Sequence, residues 1–287
     1  MKHIGFIDYY IDEWHANNYP EWIRKDIADY KREYSLSYVW ADIEKKGKLT
    51  TSEWCKKHQV SNLSSIEELV EKSDFIVVLS PDDPKEHERL SDLALKSGKP
   101  VYIDKTFSYD LDSGIRMFKL AEEYDTPMFS SSALRFSTEL SKYPNDDVNP
   151  ETIEFISSIG PGDYDSYSIH QIEVIVLLMG IDVLRIKRLG TKNGRLFVIE
   201  YEDGRQASLL QMPKAPFRLS IQLNNKDGVF LNSYSDMFPR FIHEMLDFFE
   251  TKKVPVEKEQ TLAIMAIREA GQKVLDKHDE WIRIRSY

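Results

Sequence analysis

Two residues of this sequence are of the types that proton chemistry at a hydroxyl requires. Lys105 follows the strand-like run "KPVYID", and His170 opens the apolar stretch "HQIEVIVLLMG". Removing a hydroxyl proton needs one group to accept it and a nearby cation to stabilise the developing alkoxide. At the carboxyl end of a parallel strand, Lys105 would lie where open α/β sheets bind ligands. His170 would face it from a second domain. Each residue also has a plainer reading. A lysine after a buried strand is often a solvated loop residue, and a histidine before an apolar helix often caps it or packs.

Other chemistries are poorly supplied. The seven histidines are scattered, and "HEMLD" at 243 lacks the second histidine of a zinc helix, so no metal is expected. No G-x-S-x-G elbow supports a hydrolase. A net charge of −10 argues against a nucleic-acid backbone or an anionic membrane as partner. The longest apolar run, Val174 to Ile181, is too short to span a bilayer. Cys55 is the only cysteine, which excludes an intrachain disulfide. Lys2 and His3 precede only a few apolar residues, so no signal peptide is read and a cytoplasmic protein is expected.

The elements that would hold Lys105 and His170 differ in style. Residues 1–130 alternate apolar strand-like runs ("HIGFI", "LSYVWAD", "DFIVVLS", "KPVYID") with amphipathic stretches such as "PEWIRKDIADYKREY" and "PKEHERLSDLALKSG". Short, continuous apolar strands are what helices on both faces of a parallel sheet produce. Gly98 and Pro100 mark a helix stop before the fourth of these runs. The pattern predicts an α/β, Rossmann-like doubly wound sheet. Residues 131–287 predict an α+β domain with a mostly antiparallel open sheet, its turns marked by Asp203-Gly204 and Asp227-Gly228. Two helices close the chain, and the helix over Ile172–Leu178 is expected to be buried. The open sheet leaves a face to cover, which predicts a homodimer or homotetramer.

Two stretches taken together, "SDFIVVLSPDDPKEHERLSDLALKSGKPVYIDKTFS" (73–108) and "YSIHQIEVIVLLMG" (167–180), resemble the Gfo/Idh/MocA family of sugar and cyclitol dehydrogenases. That family carries a strand ending in Thr-Pro, a histidine, a helix, Gly-Lys-x-Val and then Glu-Lys-Pro. Here the matching residues are Ser80-Pro81, His87, Gly98-Lys99-Pro100-Val101 and Asp104-Lys105-Thr106. A later helix matches at His170 and Gly180, with Ser166 at the family's aspartate and Asp165 beside it. The resemblance implies NAD(P)-dependent oxidation or reduction of a sugar-like hydroxyl or carbonyl, with Lys105 and His170 catalytic. It implies cofactor contacts at Ile7, Asp8, Tyr9, Tyr10, Asp42, Ser80, Pro81, His87 and Asp104. Arg135, Asp165 and Ser166 would meet the substrate. Asp42 would hold a ribose hydroxyl as in NAD-preferring domains, although an aspartate capping a turn fits equally well.

The departures concentrate in "HIGFIDYYIDEW" (3–14), where the glycines of G-x-G-x-x-G fall on Asp8, Tyr10 and Glu13. An Asp8 carboxylate about 4 Å from a phosphate repels it by roughly 4 kcal/mol at an effective dielectric near 20. A helix N-terminus returns only about 0.3–1 kcal/mol. NAD(H) and NADP(H) are therefore expected to bind no tighter than about 100 μM, displaced outward from the loop. Thr106 replaces the proline after the lysine, and two extra residues separate Pro81 from His87. These departures keep a second function in view: a non-catalytic family member that binds a small polyol or a protein partner in the former cleft.

Overall fold

Ile4, Phe6 and Ile7 have no exposed surface, which places the first strand under cover on both faces. The computed structural model describes residues 1–224 and 228–287. Along its first part run β1 (Lys2–Asp8), α1 (Trp14–Tyr30), β2 (Tyr34–Ala41), α2 (Thr51–His58), β3 (Ser61–Asn62), α3 (Ile66–Lys72) and β4 (Phe75–Val78). Then follow α4 (His87–Leu95), β5 (Val101–Ile103), α5 (Leu111–Glu123) and β6 (Met128–Phe129). The six strands form one sheet in the order β3-β2-β1-β4-β5-β6. Every pairing in it is parallel. This is the doubly wound arrangement, whose ligands bind beyond the carboxyl ends of the strands.

The chain forms two compact units, and the first is not continuous in sequence. It comprises Met1–Ser131 together with Phe238–Glu257, so the segment 238–257, expected in the second domain, belongs with the parallel sheet. The reason is aromatic. The late helix Met237–Thr251 lays Phe249 flat on Phe75 at 4.9 Å and sets Phe248 edge-on to Phe129. Phe241 meets Tyr19 and Tyr102 from the same helix. Aromatic side chains of this size dominate core energetics, and their burial decides which unit the helix joins.

The start of α1 also differs from the reading of the sequence. Pro20 resembles a first-turn proline, yet the helix begins at Trp14 and carries Pro20 inside it. Glu13 caps it instead, a residue type outside the usual capping set.

The second unit comprises Ser132–Met237 and Lys258–Tyr287. Its elements are β7 (Ile153–Gly160), α6 (Tyr164–Met179), β8 (Val183–Gly190), β9 (Arg195–Tyr201), β10 (Gln206–Gln211), β11 (Arg218–Leu223) and β12 (Val229–Leu231). The late helix of the first unit, α7 (Met237–Thr251), comes next, followed by α8 (Lys258–Lys273) and β13 (Trp281–Arg283). The sheet order is β12-β11-β7-β10-β9-β8-β13. Neighbours are antiparallel except β7 and β10. Gly204 turns β9 into β10 at φ +89°, as the Asp203-Gly204 signal predicts. Asp227 of the second signal lies outside the described residues. Ile172, Ile175, Val176 and Leu178 of α6 are fully buried, and the helix packs on β7, β10 and α8. Gly271 allows that approach, because a Cβ there would meet the Tyr164 hydroxyl at 1.7 Å. No helix among the described residues is long and apolar enough to cross a membrane.

Candidate active site

In the first unit, β1 ends in a turn where the Tyr9 N–H, the Tyr10 hydroxyl and the His15 and Ala16 N–H groups are all matched within the chain. Ser80 sits at φ +77°, a region that non-glycine residues seldom occupy, and its hydroxyl holds the turn from two sides. It accepts the Tyr9 N–H at 2.8 Å and donates to Asp8 at 3.1 Å. Tyr10 and Ile11 are buried, and the Tyr10 hydroxyl donates to Asp82 at 2.7 Å. The Lys45 ammonium lies 3.7 Å from the Tyr10 ring centre. Glu13 then folds back on the helix it caps, accepting the N–H of His15 at 2.6 Å and that of Ala16.

Asp8 therefore does not stand where a phosphate would rest, as the sequence suggested. It has no exposed surface, and one of its carboxylate oxygens is buried without a partner. Burial, with Asp104 nearby, pushes its carboxyl well above the ordinary carboxylate range. Burial and the neighbouring Asp8 push Glu13 upward in the same way. The turn is obstructed instead by the Glu13 carboxyl, which occupies the N–H groups of His15 and Ala16.

The turn after β5 is built differently. Asp104 is fully buried, which disfavours its charge. His15, bonded to it through Nδ1, outweighs that effect together with Lys105 and the Tyr102 hydroxyl, and holds Asp104 down at about 2. Asp104 also accepts the Lys105 backbone N–H at 2.9 Å, which fixes the residue's start. The Lys105–Thr106 peptide is cis, although threonine stands in the proline's place. Lys105 itself is half-buried, and its ammonium makes no hydrogen bond or ion pair with the described residues.

The remaining expected cofactor contacts divide. Ile7 is buried strand core. Half-buried Asp42, after β2, already pairs with Arg89 at 2.6 Å. Pro81 is half-buried beside Ser80. His87 is a correction: its ring is fully buried, with Nδ1 3.0 Å from the Phe107 carbonyl and Nε2 facing that of Leu79. It ties two loops together and offers nothing to a cofactor.

In the second unit, His170 lies on α6 with Nδ1 2.6 Å from the Ser132 hydroxyl. The Ser132 N–H donates to Glu173 at 2.6 Å, so one carboxylate anchors the residue that orients the ring. Arg135 is buried against Glu173 and Gln260, which corrects its assignment to the substrate. Asp165 accepts from Gln272 at 2.8 Å and does not replace the family's aspartate, while Ser166 is exposed. Glu13, His15, Ser132 and Glu173 escaped the sequence reading. "DEWH" ahead of a helical stretch is the one signal that pointed to any of them.

A cavity of about 640 Å³ lies at the amino end of β1, lined by Lys2, Arg32, His243 and Asp247 among others. That is the sheet edge opposite Lys105, and the ion pairs of Arg32 with Asp26 and Glu250 explain its charge. No cluster of metal-binding side chains occurs among the described residues.

A dinucleotide can be tested against these residues. Its ribose end finds Asp42 after β2, but its pyrophosphate does not fit as the fold usually holds it. That position needs the free N–H groups of the first turn of α1, and Glu13 has two of them.

Residues 24–131 match the sequence model of the oxidoreductase family with an NAD-binding Rossmann fold, Gfo/Idh/MocA, starting beyond the turn that Glu13 occupies. Comparison with curated proteins finds no match. Among solved structures, a probable dehydrogenase from Thermotoga maritima superposes with a TM-score of 0.81 at 16% identity, covering 98% of each chain. The scyllo-inositol dehydrogenase of Lactobacillus casei, solved with NAD(H) and scyllo-inositol, gives 0.77 at 14% identity over 100% of each chain. The UDP-N-acetylglucosamine 3-dehydrogenase of Acidithiobacillus ferrooxidans gives 0.76 at 13% identity, covering 96% of this chain and all of the other. These likenesses establish the fold, and the matched segment 24–131 makes the Rossmann unit similar to the Gfo/Idh/MocA oxidoreductase family, in agreement with the resemblance read from residues 73–108.

Proposed function

We propose that this chain is an NAD(P)-dependent oxidoreductase that passes hydride between the nicotinamide and a carbon bearing a hydroxyl or carbonyl on a sugar- or cyclitol-like ring, with Lys105 and His170 as its catalytic residues. One observation carries the reading: beyond the carboxyl end of β5 the half-buried residue Lys105 leaves its ammonium without a hydrogen-bond or ion-pair partner among the described residues. A cation so placed is available to a ligand. A substrate oxygen would supply the missing partner, and the lysine charge would favour its alkoxide form. The ring of His170, oriented through Ser132, would carry the proton. Ser166, exposed on α6, remains a substrate contact in this reading.

The test is turnover of a panel of cyclitols and aldoses with NAD⁺ or NADP⁺ at millimolar concentration, followed by absorbance of the reduced nicotinamide. Turnover of any member supports the proposal. Silence across the panel with both cofactors removes it.

A second reading, binding of a small polyol or protein partner without turnover, is favoured by the carboxylate of Glu13 on α1. Calorimetric binding of a polyol by a protein silent in the turnover assay would select it. Assembly as a homodimer or homotetramer through the second unit's sheet belongs to either reading, since Phe155 and Phe230 stand exposed on its strands. A monomer by light scattering at micromolar concentration contradicts that part.

A further inference from the structure

We infer that the Glu13 carboxyl is the resident acceptor at the start of helix α1, and that the site where this fold ordinarily seats a pyrophosphate is closed by the chain itself. The first turn of a helix presents N–H groups with no intrahelical partner, and it attracts negative charge. In α1 the two oxygens of one carboxylate take two of them, those of His15 and Ala16. The next donors along the turn are also engaged: Glu13 N–H to the Ile11 carbonyl at 2.8 Å, and Tyr9 N–H to Ser80 at 2.8 Å.

Displacing this carboxylate is unfavourable for a second reason. Glu13 is only 3% exposed, and Tyr10 and Ile11 beside it are 4% and 2% exposed. The side chain has no way out to water that leaves the turn intact. Inward lie Asp8 and Asp104, both without exposed surface. An incoming phosphate must therefore compete with the Glu13 carboxyl for these N–H groups or drive it inward toward the buried Asp8 and Asp104. Neither favours binding. A dinucleotide that reaches this chain is held by its other parts, outside the turn. This inference stands whether or not the chain turns over a polyol.

Isothermal titration with ADP, the smallest probe carrying the diphosphate, and with NAD⁺ tests it on the intact protein. The unmodified protein is expected to bind both more weakly than about 100 μM. Glu13→Gly removes the carboxylate and keeps a tolerated cap, so ADP should bind at least ~10-fold more tightly. If that variant does not fold, Glu13→Gln replaces one accepting oxygen by an amide donor at nearly the same size, frees one of the two N–H groups and should still gain affinity over the unmodified protein. Low-micromolar binding of either probe to the unmodified protein overturns the inference. So does a folded variant that binds ADP no more tightly than the unmodified protein. A polyol titration without nucleotide bears only on the proposed function, which keeps the two failures distinguishable.

Discussion

The turn after β1 and the turn after β5 stand at the same edge of one parallel sheet, and they treat their polar groups in opposite ways. After β1, each donor described is matched inside the chain: Tyr9 to Ser80, the Tyr10 hydroxyl to Asp82, His15 and Ala16 to Glu13. After β5, Asp104 is matched by His15, Tyr102 and the Lys105 backbone, while the Lys105 ammonium is left over. A fold can close a binding turn by completing its hydrogen bonds, with no change in the path of its backbone. It keeps a turn open by leaving one group without a partner.

Substitutions should separate the two turns by which property fails. The largest effect is expected at Lys105. Lys105→Met keeps the stem and removes the charge, so turnover should fall by about 10²–10⁴-fold while stability to urea changes by less than about 1 kcal/mol. Equal losses of activity and stability would mean that the lysine holds the turn together, and the contrast with the β1 turn would fail.

A smaller effect of opposite sign is expected at Asp8. Its folded carboxyl holds its proton above the ordinary value of 3.8, so the folded state binds more protons than the unfolded chain. The favourable contribution is complete below 3.8 and is lost as pH rises through the folded value. Asp8→Asn abolishes that loss and should raise stability by about 1 kcal/mol at pH 8, with no gain near pH 4. Asp104, held near 2, has the reverse sign: its contribution is complete above 3.8 and disappears as pH falls through about 2. The unmodified protein should therefore lose stability as pH rises from about 4 through the folded value of Asp8, and also as pH falls below about 4. Denaturant midpoints that are flat between pH 5 and 8 in both proteins would show that Asp8 is not the source of the loss as pH rises.

Much of this was readable from residue patterns, and the failures have physical causes. Short apolar runs with no alternation predicted the parallel sheet, because strands covered on both faces have no polar side to display. Asp203-Gly204 predicted its hairpin because glycine supplies the positive φ that the turn requires. Pro20 misplaced the start of α1, since a proline usually tolerated only in the first turn here lies a turn and a half further in. Glu13 was legible only as a missing glycine. Its role depends on a side chain curling back on its own helix, which spacing does not encode. Arg135 was carried to the substrate by the family resemblance, with pairing to an acidic neighbour as the alternative, and its partner proves to be Glu173, 38 residues away in sequence. Lys105 and His170 became candidates through the family resemblance, since a strand-end lysine and a histidine before an apolar helix each read more plainly as structural; Ser132 and Glu173, which orient His170, carry no local signal.

The return of α7 to the first unit has a consequence for how the protein is made. A ribosome releases residues 1–131 long before Phe238–Glu257 emerges, and until then the aromatic faces of Phe75, Tyr102 and Phe129 lack their cover. The whole second unit up to Met237 is synthesised during that delay. Order of synthesis and order of completion are thus reversed, with the unit begun first finished only after most of the other has left the tunnel. A fragment cut at Ser131 would lack the helix that covers its sheet. The first unit can be produced alone only by splicing 238–257 directly onto its end, which makes the whole intervening segment an insertion within a single domain.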